Sequence, residues 1–301
     1  MRFVTYALPG GPALPGIVVG GRIHCLQPAG FGAILDVVAG GAAALAAVRS
    51  YLAGAPAAAA IPLDSVTLFA PILKPPKIIC VGLNYRDHAA EAKAEVPQVP
   101  TIFSKFGTAV TGPGAPIILP SNSSKPDYEA EFGVVIGVGG RRIPASKWRE
   151  HVFGYTCIND VSARDYQLQT SQWLMGKTFD TFCPMGPWIT TADEIADPHE
   201  LDITCEIYGE VLQSSNTRHM IFKLPALIEF LSSVFTLEPG DVISTGTPAG
   251  VGFARRPQRW LRAGDEVVVR VQGLGELRNP VVAEAAGDVA EAAGDVAAGK
   301  P

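Results

Sequence analysis

A mostly β fold with a few helices packed outside it is what the sequence predicts, on three observations. Strand-like runs dominate from Lys77 to Val282. They do not alternate regularly with helical segments, which disfavours a doubly wound parallel sheet. Glycine and proline, 32 and 25 of 301 residues, exceed ordinary usage without a collagen period. The chain therefore needs many turns and few long helices. Its 48% hydrophobic and 18% charged residues fit a globular chain with a real core.

Residues 1 to about 70 read as a small unit. FVTYAL and IVVGGRIHCL are short strands split by a Gly/Pro turn. Gly40 to Leu52 is Ala-rich and helical, stopped by Gly54 and Pro56. The stretch running into LFAPILKPPK reads as a linker. Strands follow at KIICVG, PIILP, EAEFGVVIGV, FGYTCIND, GPWITT, LDITCEIYGEVLQ, DVISTG and DEVVVRVQGLGELRNPVV. HAAEAKAE, ASKWREHV and LPALIEFLSSVF are helical. The last carries Leu224, Leu227, Ile228, Leu231 and Val234 at the spacing of a buried face. Residues 283–301 repeat AEAAGDV and hold no aromatic or long aliphatic side chain, so they read as a disordered tail.

Net charge is 24 − 29 = −5, with no basic excess to follow a phosphate backbone, so nucleic acid is excluded as the expected partner. Five widely spaced cysteines without a CxxC point to free thiols in a reducing cytoplasm. The longest apolar run, Val37 to Val48, is too short to span a bilayer, so no membrane partner is expected.

The chemistry concentrates in Asp127-Tyr-Glu-Ala-Glu-Phe-Gly-Val-Val-Ile-Gly. Residues i and i+2 of a strand share a face, so Glu129 and Glu131 point the same way, roughly 7 Å apart at the backbone. Paired carboxylates beside an apolar run need a cation, or one must hold a proton. Hard oxygen donors suit Mg²⁺, Mn²⁺ or Ca²⁺. A solvated edge strand would show the same pattern. Asp160, closing the strand-like FGYTCIND, supplies a third carboxylate, or alternatively an N-cap for the segment after Ser162. Arg164 and Asp165 read as a surface ion pair.

His88 and Glu91, three apart, face each other on one helical turn. A carboxylate beside an imidazole fixes its tautomer and raises its basicity, the apparatus of a general base. Surface pairing is the plain alternative. Lys177 sits among aromatic and small residues, either snorkelling or meeting an anion. Ser244-Thr-Gly-Thr-Pro-Ala-Gly-Val-Gly offers backbone N–H groups in a turn that can cradle a carboxylate. Neither a P-loop nor a dinucleotide pattern occurs.

Together these blocks resemble the fumarylacetoacetate hydrolase family. KIICVGLNYRDHAAE, DYEAEFGVVIG, GYTCINDVSARDYQ, GKTFDTFCPMGP and GDVISTGTPAGVG stand in the family's order across residues 71–282. The resemblance implies a mainly β fold with some α, a mixed β-sandwich roll, preceded by a small N-terminal α/β domain (residues 1–70). It implies a homodimer with a divalent cation, Mg²⁺ first and Mn²⁺ or Ca²⁺ after it. Its ligands would be Glu129, Glu131 and Asp160. His88 and Glu91 would be the catalytic pair on a mobile lid, with Lys177 beside them. Arg164, Gln167, Gly246 and Thr247 would contact a small anionic oxo acid or diketone.

The implied reaction is C–C bond hydrolysis of a 1,3-diketone or acylpyruvate. His88 activates water, and Lys177 with the Thr247 turn stabilises the oxyanion. Decarboxylation or keto–enol isomerisation of a 2-oxo acid uses the same parts without an attacking water. A metal-bearing binding protein without turnover is the alternative of another class, against which the retained His88, Glu91 and Lys177 argue. Substrate choice is expected to lie in the loops Lys93–Thr101 and Phe253–Trp260.

Overall fold

Strand Ala130–Ile136 is buried along its whole length, and the molecule is assembled around it. The computed structural model describes residues 1–56 and 59–285. Ala130–Ile136 pairs antiparallel with Val152–Asn159 on one side and Val242–Ser244 on the other. Val242–Ser244 pairs parallel with Ile78–Gly82, whose other neighbour is Thr101–Ser104. Cys183–Thr191 continues the sheet beyond Val152–Asn159. A second, five-stranded sheet contains Glu210–Asn216, Asp202–Ile207, Glu266–Val271, Gly275–Ala283 and Ile117–Leu119.

Period-2 alternation sorts the central strand between two cores. Ala130, Phe132, Val134 and Ile136 face Ile203, Cys205, Val267 and Val269 of the second sheet. Val135 faces the opposite way and packs with Val37, Val38 and Val48 of the helix Ile34–Gly54. The mixed, mainly β sandwich expected from the sequence is thus present.

The leading 70 residues extend this same sheet. Arg2 and Phe3 pair with Thr190 and Ile189, and Phe3 and Ile17 share a core with Phe153, Met185 and Val242. The stretch read as a linker is instead partly a strand, Thr67–Phe69 paired with Arg2–Ala7. The Ala-rich helix runs longer than expected, with a break at Gly41 (φ 54°). At 21 residues it is long and apolar enough by length and composition to cross a membrane, which corrects the reading of that run as too short. In the fold, its Ile34, Val37, Val38, Ala44 and Val48 are buried.

Two further expectations change. LDITCEIYGEVLQ is a hairpin, not one strand. Tyr208 (φ 54°) and Gly209 (φ 78°) turn it, the left-handed pair that a two-residue hairpin requires. The helix Leu224–Val234 buries Leu224, Leu227, Ile228 and Leu231 as expected, but Val234, its last residue, is 62% exposed. The strand Gly275–Ala283 carries the fold one residue past the expected tail boundary, and Glu284 accepts from Ser121 (Oγ 2.7 Å, N 2.8 Å). The tail from 286 onward lies outside the described residues.

All five cysteines are free, and Cys80, Cys157, Cys183 and Cys205 are buried. Burial pushes the Cys157 and Cys183 thiols up to about 12. It raises Cys80 and Cys205 as well. A thiol reagent at mildly alkaline pH should therefore modify one cysteine, Cys25, in the native protein and five after denaturation. Intact-mass measurement counts the labels, and a second native label would contradict the packing described.

Candidate active site

The central strand delivers the first carboxylates. Glu131 lies within it and Glu129 immediately precedes it, two residues apart and on the same face. The adjacent strand Val152–Asn159 delivers the third. Asp160 follows its last residue, and its N–H donates to Glu129 O at 2.9 Å, which fixes it beside the pair. One oxygen from each of Glu129, Glu131 and Asp160 falls within 4.8 Å of the other two, and all three residues are buried. Asp160 caps no helix, because the N-cap of Arg164–Gln167 is Ala163.

Three cations enter this cluster. Lys177 Nζ bridges Glu129 Oε2 (2.8 Å) and Asp160 Oδ2 (2.7 Å). Arg164 reaches Glu129 Oε1 (2.6 Å) and Asp127 Oδ2 (2.8 Å), and its Nη1 donates to Gln167 Oε1 (2.9 Å). Lys105 Nζ donates to Asp160 Oδ1 and to Val161 O (3.0 Å). The two readings of Arg164 as a surface residue and Asp165 as its partner both fail. Arg164 is buried, and Asp165 instead accepts from Ser123 and Ser124.

Among the described residues, four carboxylates (Asp127, Glu129, Glu131 and Asp160) thus share three side-chain cations, and Glu131 has none of its own. It accepts only from Ser244 Oγ (2.5 Å) and Gly246 N (2.9 Å). Burial, with Asp160 and Glu129 beside it, pushes the Glu131 carboxyl well above the ordinary range. Burial would raise Glu129 too, but Lys177 and Arg164 outweigh it and hold that group below the ordinary range. Burial lowers Lys177, and Asp160 and Glu129 more than restore it, so the lysine stays charged. Fully ionised, the buried cluster carries one negative charge in excess, and its hard oxygens within 4.8 Å of one another fit a divalent cation.

His88 and Glu91 ride a short helix, Arg86–Glu91. His88 Nδ1 stands 3.4 Å from Glu91 Oε2; in the neutral tautomer that donates from Nδ1 to this carboxylate, Nε2 is the acceptor. Burial raises Glu91, but His88 and the Gly250 N–H, 3.0 Å from both its oxygens, pull it below the ordinary carboxylate range. A lowered carboxyl contributes stability above the ordinary pKa and loses it only as pH falls through the lowered value. Asp87 ties the same helix to Ser215 Oγ at 2.6 Å.

The chain from Gly246 to Phe253 is a strap joining these parts. Gly246 N holds Glu131, Gly250 N holds Glu91, and Gly252 N (2.7 Å) and Phe253 N (3.0 Å) hold Asp127. Gly246, expected at the substrate, thus supports a carboxylate of the triad. Thr247 lines the cavity, but its hydroxyl donates to Ala130 O (2.9 Å) and accepts from Gln213 Nε2 (2.8 Å).

His88, Glu129, Glu131, Arg164, Gln167, Lys177 and Thr247 line one cavity of about 150 Å³. Phe103, Leu168, Trp173 and Phe253 close its remaining wall. Glu91 stands behind His88. A larger cleft, about 560 Å³, runs along the edge strand Thr101–Ser104 but holds none of the triad, so size alone does not mark the site.

Sequence reasoning missed Lys105, Asp127, Ser244 and Gln213. Lys105 and Gln213 are isolated residues with no motif around them. Asp127 was in plain view within DYEAE, and its spacing of two from Glu129 was a usable signal. Asp127→Ala would strand Arg164 and two strap amides in a buried site. It should cost about 3–5 kcal/mol of stability, read from urea denaturation. A loss under 1 kcal/mol would show the strap is held elsewhere.

The fold, five sequence blocks and the buried triad define a class. The chain belongs to the fumarylacetoacetate hydrolase family, its residues 77–282 matching the fumarylacetoacetate (FAA) hydrolase C-terminal family. Among individual proteins, it is 45% identical over 291 residues to the mitochondrial oxaloacetate tautomerase FAHD2A of Bos taurus, covering 94% of this chain and 92% of that one. The maleylpyruvate hydrolase of Sphingobium sp. SYK-6, solved with manganese(II) and pyruvate, superposes with a TM-score of 0.80 at 32% identity. That match covers 95% of this chain and 100% of the other. The 2-hydroxyhepta-2,4-diene-1,7-dioate isomerase of Mycobacterium marinum gives 0.73 at 36% identity, covering 95% and 100%. The chain is therefore an enzyme of a family with hydrolase, isomerase and tautomerase members.

Proposed function

We propose that this protein is a divalent-metal-dependent enzyme that interconverts the keto and enol forms of a small 2-oxo acid of the oxaloacetate type. The observation that carries this reading is the cavity. In about 150 Å³ it gathers one imidazole with Glu129 and Glu131 of the carboxylate triad, Arg164 and Lys177, room for a compact oxo acid. The 45% identity to an oxaloacetate tautomerase over nearly both chains supports it.

Glu129, Glu131 and Asp160 would hold the cation, Mg²⁺ or Mn²⁺, which supplies Lewis-acid polarisation of a substrate oxygen when bound. Lys105 and Lys177 hold Asp160 from both carboxylate oxygens and keep it aimed at that point. Arg164 and Gln167 present a cation and an amide to the substrate carboxylate. His88 Nε2 takes the C3 proton of the keto acid as the C2–C3 double bond forms, and the 2-oxygen takes a proton from solvent to give the enol; in the reverse direction the imidazolium, stabilised by Glu91, returns a proton to C3 as the oxygen releases its own. Lys177, charged and buried, faces the negative charge that develops on the 2-oxygen.

Hydrolysis of an acylpyruvate is the second reading, favoured by the likeness to maleylpyruvate hydrolase. It uses the same His88 to draw a proton from water rather than from carbon. A panel of oxaloacetate, acylpyruvates and cyclic diketones with Mg²⁺ or Mn²⁺, read by product mass, separates the two. The first reading predicts enol–keto conversion of oxaloacetate with its mass unchanged. Cleavage of an acylpyruvate at a higher kcat/KM would replace it with the second. A homodimer is expected on either reading and is checked by light scattering.

A further inference from the structure

The geometry points to Trp173 as the residue that sets how long a substrate tail the cavity admits. The inference rests on reading the cavity as a 2-oxo acid site. Glu129, Glu131, Arg164 and Lys177 line its charged part, and Phe103, Leu168, Trp173 and Phe253 line its apolar wall. Trp173 is the largest side chain on that wall. It is half-buried, and its ring lies directly over the backbone of Gly82. A Cβ at position 82 would sit 2.3 Å from Trp173 Cζ3 and 2.9 Å from Cη2, far inside contact distance. Glycine at 82 is therefore what lets the indole close against the strand Ile78–Gly82.

The indole is also held by a second ring. Its ring meets Phe103 edge-on, 5.5 Å between centroids at 66°. Phe103 in turn presents its face to Lys177 Nζ at 4.9 Å. Trp173 is the N-cap of the short helix Leu174–Lys177, so it and Lys177 are four residues apart, one helical turn. The wall and the cation that bridges Glu129 and Asp160 are thus built on one turn. A 2-oxo acid seated with its oxo-acid head at the triad would run its tail toward Trp173, Phe103 and Leu168. Short tails fit beneath the indole, and longer ones must displace it.

Calorimetric titration of the Mn²⁺-loaded protein with pyruvate, 2-oxobutanoate, 2-oxohexanoate and 2-oxooctanoate tests this without requiring turnover. In the wild type, affinity should fall beyond the shortest members. Trp173→Ala should raise the affinity for the eight-carbon acid relative to pyruvate by about 10–200-fold, the range that even one methylene commands in an apolar pocket. Trp173→Phe should give a smaller rise. Trp173→Leu carries the same test should the alanine variant fail to fold. Pyruvate binding with an unchanged long-to-short ratio in the variants would overturn the role of Trp173 alone. Absence of binding by every 2-oxo acid in the wild type would overturn the reading of the cavity and this inference with it.

Discussion

Glu131→Gln should abolish divalent-cation binding while making the metal-free protein more stable. The two effects share one cause. Glu131 is the member of the triad with no cationic partner of its own, and burial with Asp160 and Glu129 alongside pushes its carboxyl well above the ordinary range. A carboxyl whose folded pKa is raised costs nothing below its unfolded pKa, near 4.3. The penalty grows as pH rises from there toward the raised value, because the unfolded state ionises while the folded state still holds its proton. Metal-free wild type should therefore lose stability across that window, and the glutamine variant should not. The side-chain oxygen of the substituted amide can still accept from Ser244 and Gly246, so the fold loses no hydrogen bond there. Without metal at neutral pH the variant should melt about 2–4 °C higher. Mn²⁺, which should stabilise the wild type by mass action, should leave the variant unmoved, with affinity reduced about 100-fold or more. A variant that melts lower without metal, or still binds Mn²⁺, contradicts this account of the triad.

His88→Ala should reduce turnover by about 10²–10⁴-fold, the ordinary contribution of a positioned general base, and leave Mn²⁺ affinity within a few-fold of wild type. The separation follows from the geometry. His88 touches Glu91 and the cavity, whereas the triad is held by Lys105, Lys177, Arg164, Ser244 and Gly246. Glu91 would keep its bond from the Gly250 amide, so the helix Arg86–Glu91 should stay docked. Steady-state kinetics should show the loss in kcat rather than in KM. Equal loss of metal affinity and turnover would mean His88 acts through the metal site. Unchanged turnover would remove it from the proton transfer.

Much of this site was legible in the sequence because its parts are local. Glu129 and Glu131 follow from a two-residue period on a strand whose apolar residues announce its burial, and His88 with Glu91 from the spacing of one turn. Their meeting with Asp160 and Lys177 was legible only through the family resemblance, since pairing between strands has no local signal. Lys105 lies 55 residues from Asp160 along the chain, and an isolated lysine reads as surface until the fold buries it. The fold class was legible from strand content. The joining of Arg2–Ala7 to Cys183–Thr191, across nearly 190 residues, was not, because edge pairing depends on which strand ends lie bare. Gly246 and Thr247 were placed at the right turn, but their bonds to Glu131, Ala130 and Gln213 were not legible. A glycine-rich segment shows that backbone N–H groups are offered, not to which carboxylate.

The central claim is tested most directly by following enol-oxaloacetate with metal-free protein, then after Mn²⁺ is restored, against matched buffer controls. The account predicts that decay of the enol absorbance accelerates only with protein and metal together. The acceleration should be lost in Glu131→Gln and in His88→Ala, and oxaloacetate should be recovered at unchanged mass. No acceleration over Mn²⁺ alone, or loss of oxaloacetate to cleaved products at the same rate, would contradict it.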